Sequence, residues 1–484
     1  MISLALSLAV LIAGYALYSR VAERAFGADD RRTPAIYAAD GVDYVPMKTW
    51  KAFLVQLLNI AGTGPIFGAL MGAQFGPVVF LWIVLGSVLG GTVHDYMVGM
   101  ISSRHGGASV AELSGIYLGS AAKWILRVFS LLLLLLIGTV FVNSPATLLA
   151  YLTPDALNEK VWVAVILFYY ILATLLPIDK IIGRLYPVFG VALIAMAAGI
   201  IGALIIRPEY TLPEITLQNL HPDGQPVWPF MFITVACGAV SGFHATQSPM
   251  IARCITSERV GRPVFYGAMI CESVIALVWA AAGVAFYGMT GGLSSALASL
   301  GQSGVVHEIS VTLMGPVGGI LAVMGVIVCP ITSGDTAFRS ARLIIAEITG
   351  IDQKPLSHRL AVTIPLLGVG AALSQMDFNM LWRYSSWSNQ TLAMIALWVS
   401  AAFLLKNAKK PAYSIVAAMP AAFMTAVSVT YILMAPEGFT LSARIAAPVG
   451  ALAAAALFAH YLWGLSRARK RLGQAPSEKS GARG

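Results

Sequence analysis

The chain has 484 residues, of which 58% are hydrophobic and only 11% charged, with a mean hydropathy of +0.79. Soluble proteins carry about 25% charge, so a soluble enzyme, a disordered chain and a fibrous protein are excluded, and a polytopic helical membrane protein is expected. The net charge of +9 suits cytoplasmic loops, where Lys and Arg collect, and no nucleic-acid partner is expected.

Residues 2–19 are apolar with no basic residue before them, whereas Arg20, Arg24, Arg31, Arg32, Lys48 and Lys51 follow. That asymmetry predicts a transmembrane helix at 1–20 with the N-terminus outside, then a cytoplasmic loop at 21–50. Further spans are read near 51–72, 76–102, 126–147, 161–178, 185–206, 229–251, 264–289, 315–346, 359–376, 386–405, 412–433 and 445–465, about 13 in all. The run from Leu131 to Ile137 is continuously apolar, unlike the alternating strands of an outer-membrane barrel. An odd count leaves the C-terminus in the cytoplasm. The charges agree: of 31 Lys and Arg, all but Lys160, Arg207, Arg383 and Arg444 fall on loops and flanks placed inside. The 466–484 tail is basic and contains Gly and Ser, and is expected to be disordered. The four cysteines, Cys237, Cys254, Cys271 and Cys329, form no C-x-x-C pair and read as free buried thiols.

Two spans carry features that a plain lipid-facing helix avoids. One holds Asn59-Ile60-Ala61-Gly62-Thr63-Gly64-Pro65; the other runs from Cys237 through Ser241, Gly242, His244, Thr246 and Gln247 to Ser248-Pro249. Glycine tolerates unwound backbone and proline removes a donor. Gly64-Pro65 and Ser248-Pro249 each read as a helix N-cap followed by proline at the first helical position. Each span is therefore expected to be two half-helices joined by unwound chain, which survives at membrane depth only inside protein or beside water. A corresponding pair of interrupted spans points to a transporter's binding site. Five spans begin with each, so the order predicts a first inverted repeat at 51–206, an external loop at 207–228, a second repeat at 229–405 and two C-terminal helices at 406–465. The alternative is a glycine-rich packing seam. Half-helix N-termini suit a carboxylate, with Asn59, Gly62, Thr63, Gly64, Ser241, Gly242, His244, Thr246 and Gln247 as candidate substrate-binding residues. His244 can also titrate or simply satisfy a freed carbonyl.

A third constellation is Pro330-Ile331-Thr332-Ser333-Gly334-Asp335-Thr336. Adjacent hydroxyls of Thr332 and Ser333 can coordinate sodium, a hard cation. Asp335 is an intramembrane ionisable group, although Arg339 stands at i+4 to pair with it. His94-Asp95 can carry protons or cap a helix end, and Glu272 lies in an apolar run beside Cys271.

At these residues the chain resembles the carbon starvation protein A family. The stretches that carry the resemblance are Asp40 to Pro46, Ala61-Gly62-Thr63-Gly64-Pro65, Val93-His94-Asp95, Cys237 to Pro249 and Thr332 to Arg339, within residues 35–345. The resemblance implies the amino acid–polyamine–organocation superfamily and a LeuT-type fold. It implies inner-membrane uptake of peptides or pyruvate when preferred carbon runs out. By the same analogy the carbonyls of Leu58 and Ala61 with Thr332 and Ser333 form a cation site, so no cofactor is implied beyond a bound sodium ion. Longer members carry additional C-terminal sequence that bears on regulation and substrate choice.

The expected function is a cation-coupled secondary transporter, not an enzyme. Its partners are a small carboxylate-bearing solute, the lipid bilayer and a coupling cation. Leu58, Ala61, Thr332, Ser333, Asp335, His94 and Asp95 are the candidates for binding the cation or carrying the proton. Pyruvate and peptide, like sodium and proton, remain open at this level, and oligomeric state is not legible. The competing readings are a membrane subunit of a redox or proton-translocating complex, which with haem would use paired histidines, and a channel or starvation sensor.

Overall fold

The computed structural model describes residues 2–41, 43–175 and 178–473, and regular structure among them is entirely helical. The bilayer dictates this: each backbone N–H and C=O needs a partner within its own segment or closed sheet. Apart from the single turn Pro34–Tyr37, the helices in chain order are α1 Ile2–Phe26, α2 Thr49–Ile60, α3 Gly64–Phe75, α4 Val79–Arg104, α5 Val110–Leu118 and α6 Ser120–Leu152. Then come α7 Glu159–Leu175, α8 Ile178–Ile206, α9 at 227–234, α10 Phe243–Ala252 and α11 Glu258–Phe286. The last are α12 Thr290–Thr349, α13 Leu356–Leu373, α14 Phe378–Asn407, α15 Pro411–Met434 and α16 Ala443–Gly473.

Ten of these are long and apolar enough to cross a membrane, or up to 11 if the bent pair α2 and α3 is one span. The expected count of about 13 is not reached by that measure. The described part of α7, 17 residues, spans only about 25 Å, short of a hydrocarbon core of about 30 Å. The segment expected at 229–251 as two half-helices is α9 and α10, two short helices separated by unwound chain, and so is not counted as a span by length. The 60-residue α12 is bent at two left-handed glycines, Gly301 (φ 66°) and Gly315 (φ 63°), so the span expected at 315–346 is its last piece. The basic end is also more ordered than expected. α16 continues to Gly473, with the Arg467 guanidinium 3.5 Å from the Trp463 ring centre one turn back. The rest of the expected disordered tail lies outside the described residues.

Burial separates the inner helices from the outer ones. The apolar windows of α4 and α11 are 83% and 78% buried, whereas that of α16 is 17% buried and presents Leu452, Leu457 and Leu462 outward. α2, α3 and α4 pack on α11, and α10 packs on α2 and α4, and all the polar intramembrane residues of the next section sit there or on the neighbouring faces of α12 and α14.

Candidate functional site

The first interruption is a sharp one. α2 ends at Ile60, α3 starts at Gly64 with Pro65 in its first turn, and the two axes differ by 55°. The second is longer: α9 ends at Thr234 and α10 starts at Phe243, with Gly238 at φ 88° between them. The two breaks touch. A Cβ on Gly64 would overlap the Cys237 side chain, and one on Gly238 would overlap Ala276 and stand 3.9 Å from the Pro65 Cα. Only glycine lets these backbones approach so closely.

One expectation is corrected here. Ser248-Pro249 does not open the second half-helix. Pro249 lies inside α10, which begins six residues earlier. The start is fixed by a side chain from another helix: the Asn389 Oδ1 of α14 accepts from the Phe243 N–H at 2.6 Å and from the Ser241 hydroxyl at 3.2 Å.

Among the described residues, polar atoms at the breaks are buried without hydrogen-bond partners: Asn59 Oδ1, Thr63 Oγ1 and Gln247 Oε1. The Gln247 amide donates to Thr246 Oγ1 at 2.9 Å, and Thr246 donates to the Phe243 carbonyl at 2.6 Å. Gly62 packs against Phe141 and Ser333, and Gly242 against the α14 backbone. Asn59 also borders a cavity of about 20 Å³ lined by Asp43, Met250 and Arg253 among others, room for about one water.

Of the residues named for a cation, Ser333 and Leu58 come together: the Ser333 hydroxyl donates to the Leu58 carbonyl at 3.2 Å. Ala61 is buried at the same break. Thr332 donates to Cys329 of its own helix at 2.7 Å. Asp335 pairs with Arg339 at 3.2 Å, the i,i+4 arrangement weighed from the sequence.

The remaining ionisable residues converge. His94 and Asp95 of α4, His244 of α10 and Glu272 of α11 are all 0% exposed. Asp95 Oδ1 lies 2.8 Å from His94 Nδ1, and Asp95 Oδ2 lies 2.9 Å from His244 Nδ1. On the far side of the ring, His244 Nε2 lies 3.4 Å from Glu272 Oε2. The Cys237 sulfur, a ring nitrogen of His244 and a Glu272 oxygen are all within 4.8 Å of one another. Among the described residues no Lys or Arg forms an ion pair with Asp95 or Glu272. The two histidines thus share a carboxylate between them, which is not the opposed pair of ring nitrogens that a haem would take.

Sequence reasoning did not place Cys237 or Asn389 at a site, and it weighed Glu272 only as a further intramembrane candidate. Glu272 was visible as an isolated carboxylate in an apolar run. Asn389 sits in Ser385-Ser386-Trp387-Ser388-Asn389-Gln390-Thr391, a polar stretch too dense for a lipid-facing helix, and that density is the signal that marks it.

Known proteins resemble this chain over most of its length. The profile of the family described as Carbon starvation protein CstA matches residues 1–157 and 146–289. An uncharacterized membrane protein of Haemophilus influenzae is 44% identical over 330 residues, covering 57% of this chain and 89% of that one. The peptide transporter CstA of Bacillus subtilis is 25% identical over 500 residues, covering 82% of this chain and 83% of its own. The pyruvate/proton symporter BtsT of Escherichia coli is 29% identical over 339 residues, covering 56% of this chain and 47% of its own. A crystal structure of the Eremococcus coleocola manganese transporter overlaps 90% of this chain and 99% of its own at 14% identity, with a TM-score of 0.48, too loose a likeness to carry an argument.

Proposed function

The chain belongs to the carbon starvation protein CstA family, and from that premise we propose that it is a cation-coupled secondary transporter that imports small carboxylate-bearing nutrients, pyruvate or short peptides, when preferred carbon is scarce. The observation that carries the proposal is the meeting of two interrupted helices at their breaks, with Asn59, Thr63 and Gln247 holding buried polar atoms that have no partner among the described residues. Such atoms are costly unless a ligand or water satisfies them. The start of α3 at Gly64-Pro65 adds backbone dipole to the same place, which favours a negative group without a buried Lys or Arg.

Alternating access moves this junction between the two sides of the membrane. The distribution of basic residues supports a bacterial inner-membrane protein with its N-terminus outside and its C-terminus in the cytoplasm. The proton is the favoured coupling ion, because a relative is a pyruvate/proton symporter. Sodium is the second candidate, held by Leu58 and Ala61 carbonyls with Thr332 and Ser333, since Ser333 and Leu58 do meet.

The test is transport by the purified chain in proteoliposomes, with labelled pyruvate and labelled dialanine, and proton and sodium gradients imposed separately. Counterflow of either solute, with gradient-driven accumulation, supports the proposal. Absence of counterflow for both, in protein shown to be folded, would sink it. Ser333→Ala decides the second cation: dependence on sodium in the wild type that persists unchanged in the variant rules Ser333 out as a ligand.

A further inference from the structure

We infer that His244 and Glu272, oriented by Asp95, form the proton-binding site of this protein, with the coupling proton held between His244 Nε2 and Glu272 Oε2. This rests on the secondary-transport reading above and adds the atoms that take the proton.

The geometry is short of one proton. Each oxygen of Asp95 faces one Nδ1, of His94 at 2.8 Å and of His244 at 2.9 Å. An ionised Asp95 accepts only, so both rings donate from Nδ1. A neutral imidazole protonated at Nδ1 presents a lone pair at Nε2. In His244 that lone pair faces Glu272 Oε2 across 3.4 Å. Among the described residues neither His244 Nε2 nor either Glu272 oxygen has a well-formed hydrogen bond; the Gly238 N–H lies toward Glu272 and the Cys237 thiol toward His244. Two acceptors facing each other in a buried place are strongly disfavoured. One proton satisfies both, either as O–H to nitrogen or as N–H to a carboxylate.

Among the described residues no Lys or Arg is paired with either carboxylate. The titratable groups facing the pair are Asp95 and His94 from α4 and Cys237 from the unwound chain. Of the other elements packed on α10, α2 brings Gln56, α6 Phe141, α12 Ser340 and α14 Asn389, all neutral, while Glu347 of α12 and Arg253 border α10 at Thr246 and Met250. With the proton absent, two carboxylates stand against two neutral rings. Taking it from water removes one negative charge.

The position of the pair joins that charge to transport. His244 is the second residue of α10, directly after the unwound chain, and Glu272 belongs to α11, which packs on α2 and α3. An anionic solute at the breaks is repelled by an ionised Glu272 and accepted once the proton has arrived, so each favours the binding of the other. When the proton leaves, the contact between α10 and α11 is lost, which gives loaded and empty protein different preferred conformations.

Two measurements on the full chain in liposomes test this. The protein has seven histidines, few enough for nitrogen NMR of labelled rings. The ring signal that disappears in His244→Gln is expected to change protonation between mild acid and mild alkali, and its midpoint to move by about one to three pH units in Glu272→Gln. No titration of that ring, or an identical titration in Glu272→Gln, overturns the inference without reference to any solute. In transport, Glu272→Gln is expected to lose proton-driven accumulation of pyruvate or dialanine and to flatten the pH profile of counterflow, with Glu272→Asp restoring part of both. Wild-type accumulation in Glu272→Gln overturns the inference, whereas absent counterflow in the wild type counts against the transport reading alone. One zinc ion per chain, bound by the wild type and lost in Cys237→Ser, would also overturn it, since the same atoms would then hold a metal.

Discussion

Asn389 uses one amide oxygen to hold two groups at the second break, the Phe243 N–H at 2.6 Å and the Ser241 hydroxyl at 3.2 Å, while its nitrogen faces the Cys237 sulfur at 3.9 Å. All of this is buried, so removing the amide strands a backbone donor where water does not reach. Asn389→Ala is expected to cost about 1–3 kcal/mol, read as a lower unfolding temperature in detergent. Because Phe243 begins the half-helix that carries His244, the same variant should also raise the KM for counterflow. A stability loss with unchanged transport would make Asn389 a purely structural cap. An Asn389→Ser substitution, whose shorter hydroxyl still accepts, should lose less on both measurements.

At the scale of elements, the breaks depend on glycines that let backbones touch. A Cβ on Gly242 would run into the backbone of α14 at Asn389 and Ala393, and backbone cannot turn aside as a side chain can. Gly242→Ala is therefore expected to destabilise by about 1–3 kcal/mol. Gly368, inside α13, has nothing within 4 Å of an added Cβ, so Gly368→Ala should be neutral or stabilise by up to about 1 kcal/mol. Thermal unfolding of the two variants side by side checks the contrast, and equal behaviour would mean that α14 yields at Gly242. The location of both interruptions was legible in the sequence because glycine and proline act locally, through backbone freedom and a missing donor. The start of α10 was not, because it is set by an amide on a helix 146 residues away. The cluster of Asp95, His244 and Glu272 was only half legible for the same reason. Each residue stood out alone as an ionisable group in an apolar span, but the pairing of Asp95 with His244 crosses 149 residues and no spacing rule reaches that far. Asp335, by contrast, was fully legible, since its partner lies one turn along the same helix.

At the scale of the molecule, the face formed by the loop after α1, the end of α4 and the start of α11 is closed by a strap. Glu258, at the start of α11 and 1% exposed, accepts from Arg104 Nε at 2.8 Å and Nη2 at 2.9 Å and from the Asp29 N–H at 3.0 Å. Arg104 at the end of α4 also donates to the Gly27 carbonyl at 2.7 Å, and Arg259 pairs with Asp30 at 2.6 Å. The loop after α1 is thereby tied to α4 and α11 together. Nearby, Thr33 donates to the Ile255 carbonyl at 2.6 Å and Met47 to the Cys254 carbonyl at 3.0 Å, so the strap covers Cys254. Burial pushes the Cys254 thiol up to about 11, which leaves little thiolate at neutral pH. A transporter has to open this face in each cycle, and an opening that lifts the strap from Cys254 returns it to water, where its thiol ionises near its ordinary value. Glu258→Gln leaves Arg104 without its carboxylate, a loss of up to about 3–5 kcal/mol for a buried pair, and should shift the population toward the open face. Maleimide labelling of Cys254 is then expected to rise about tenfold in Glu258→Gln at neutral pH, with Cys254→Ser defining the background from the other cysteines. In the wild type labelling should be slow and should climb with pH toward 11, whereas in the variant the climb should begin lower. Equal rates and equal pH profiles in the two proteins would mean that Glu258 anchors the loop without governing access to this face.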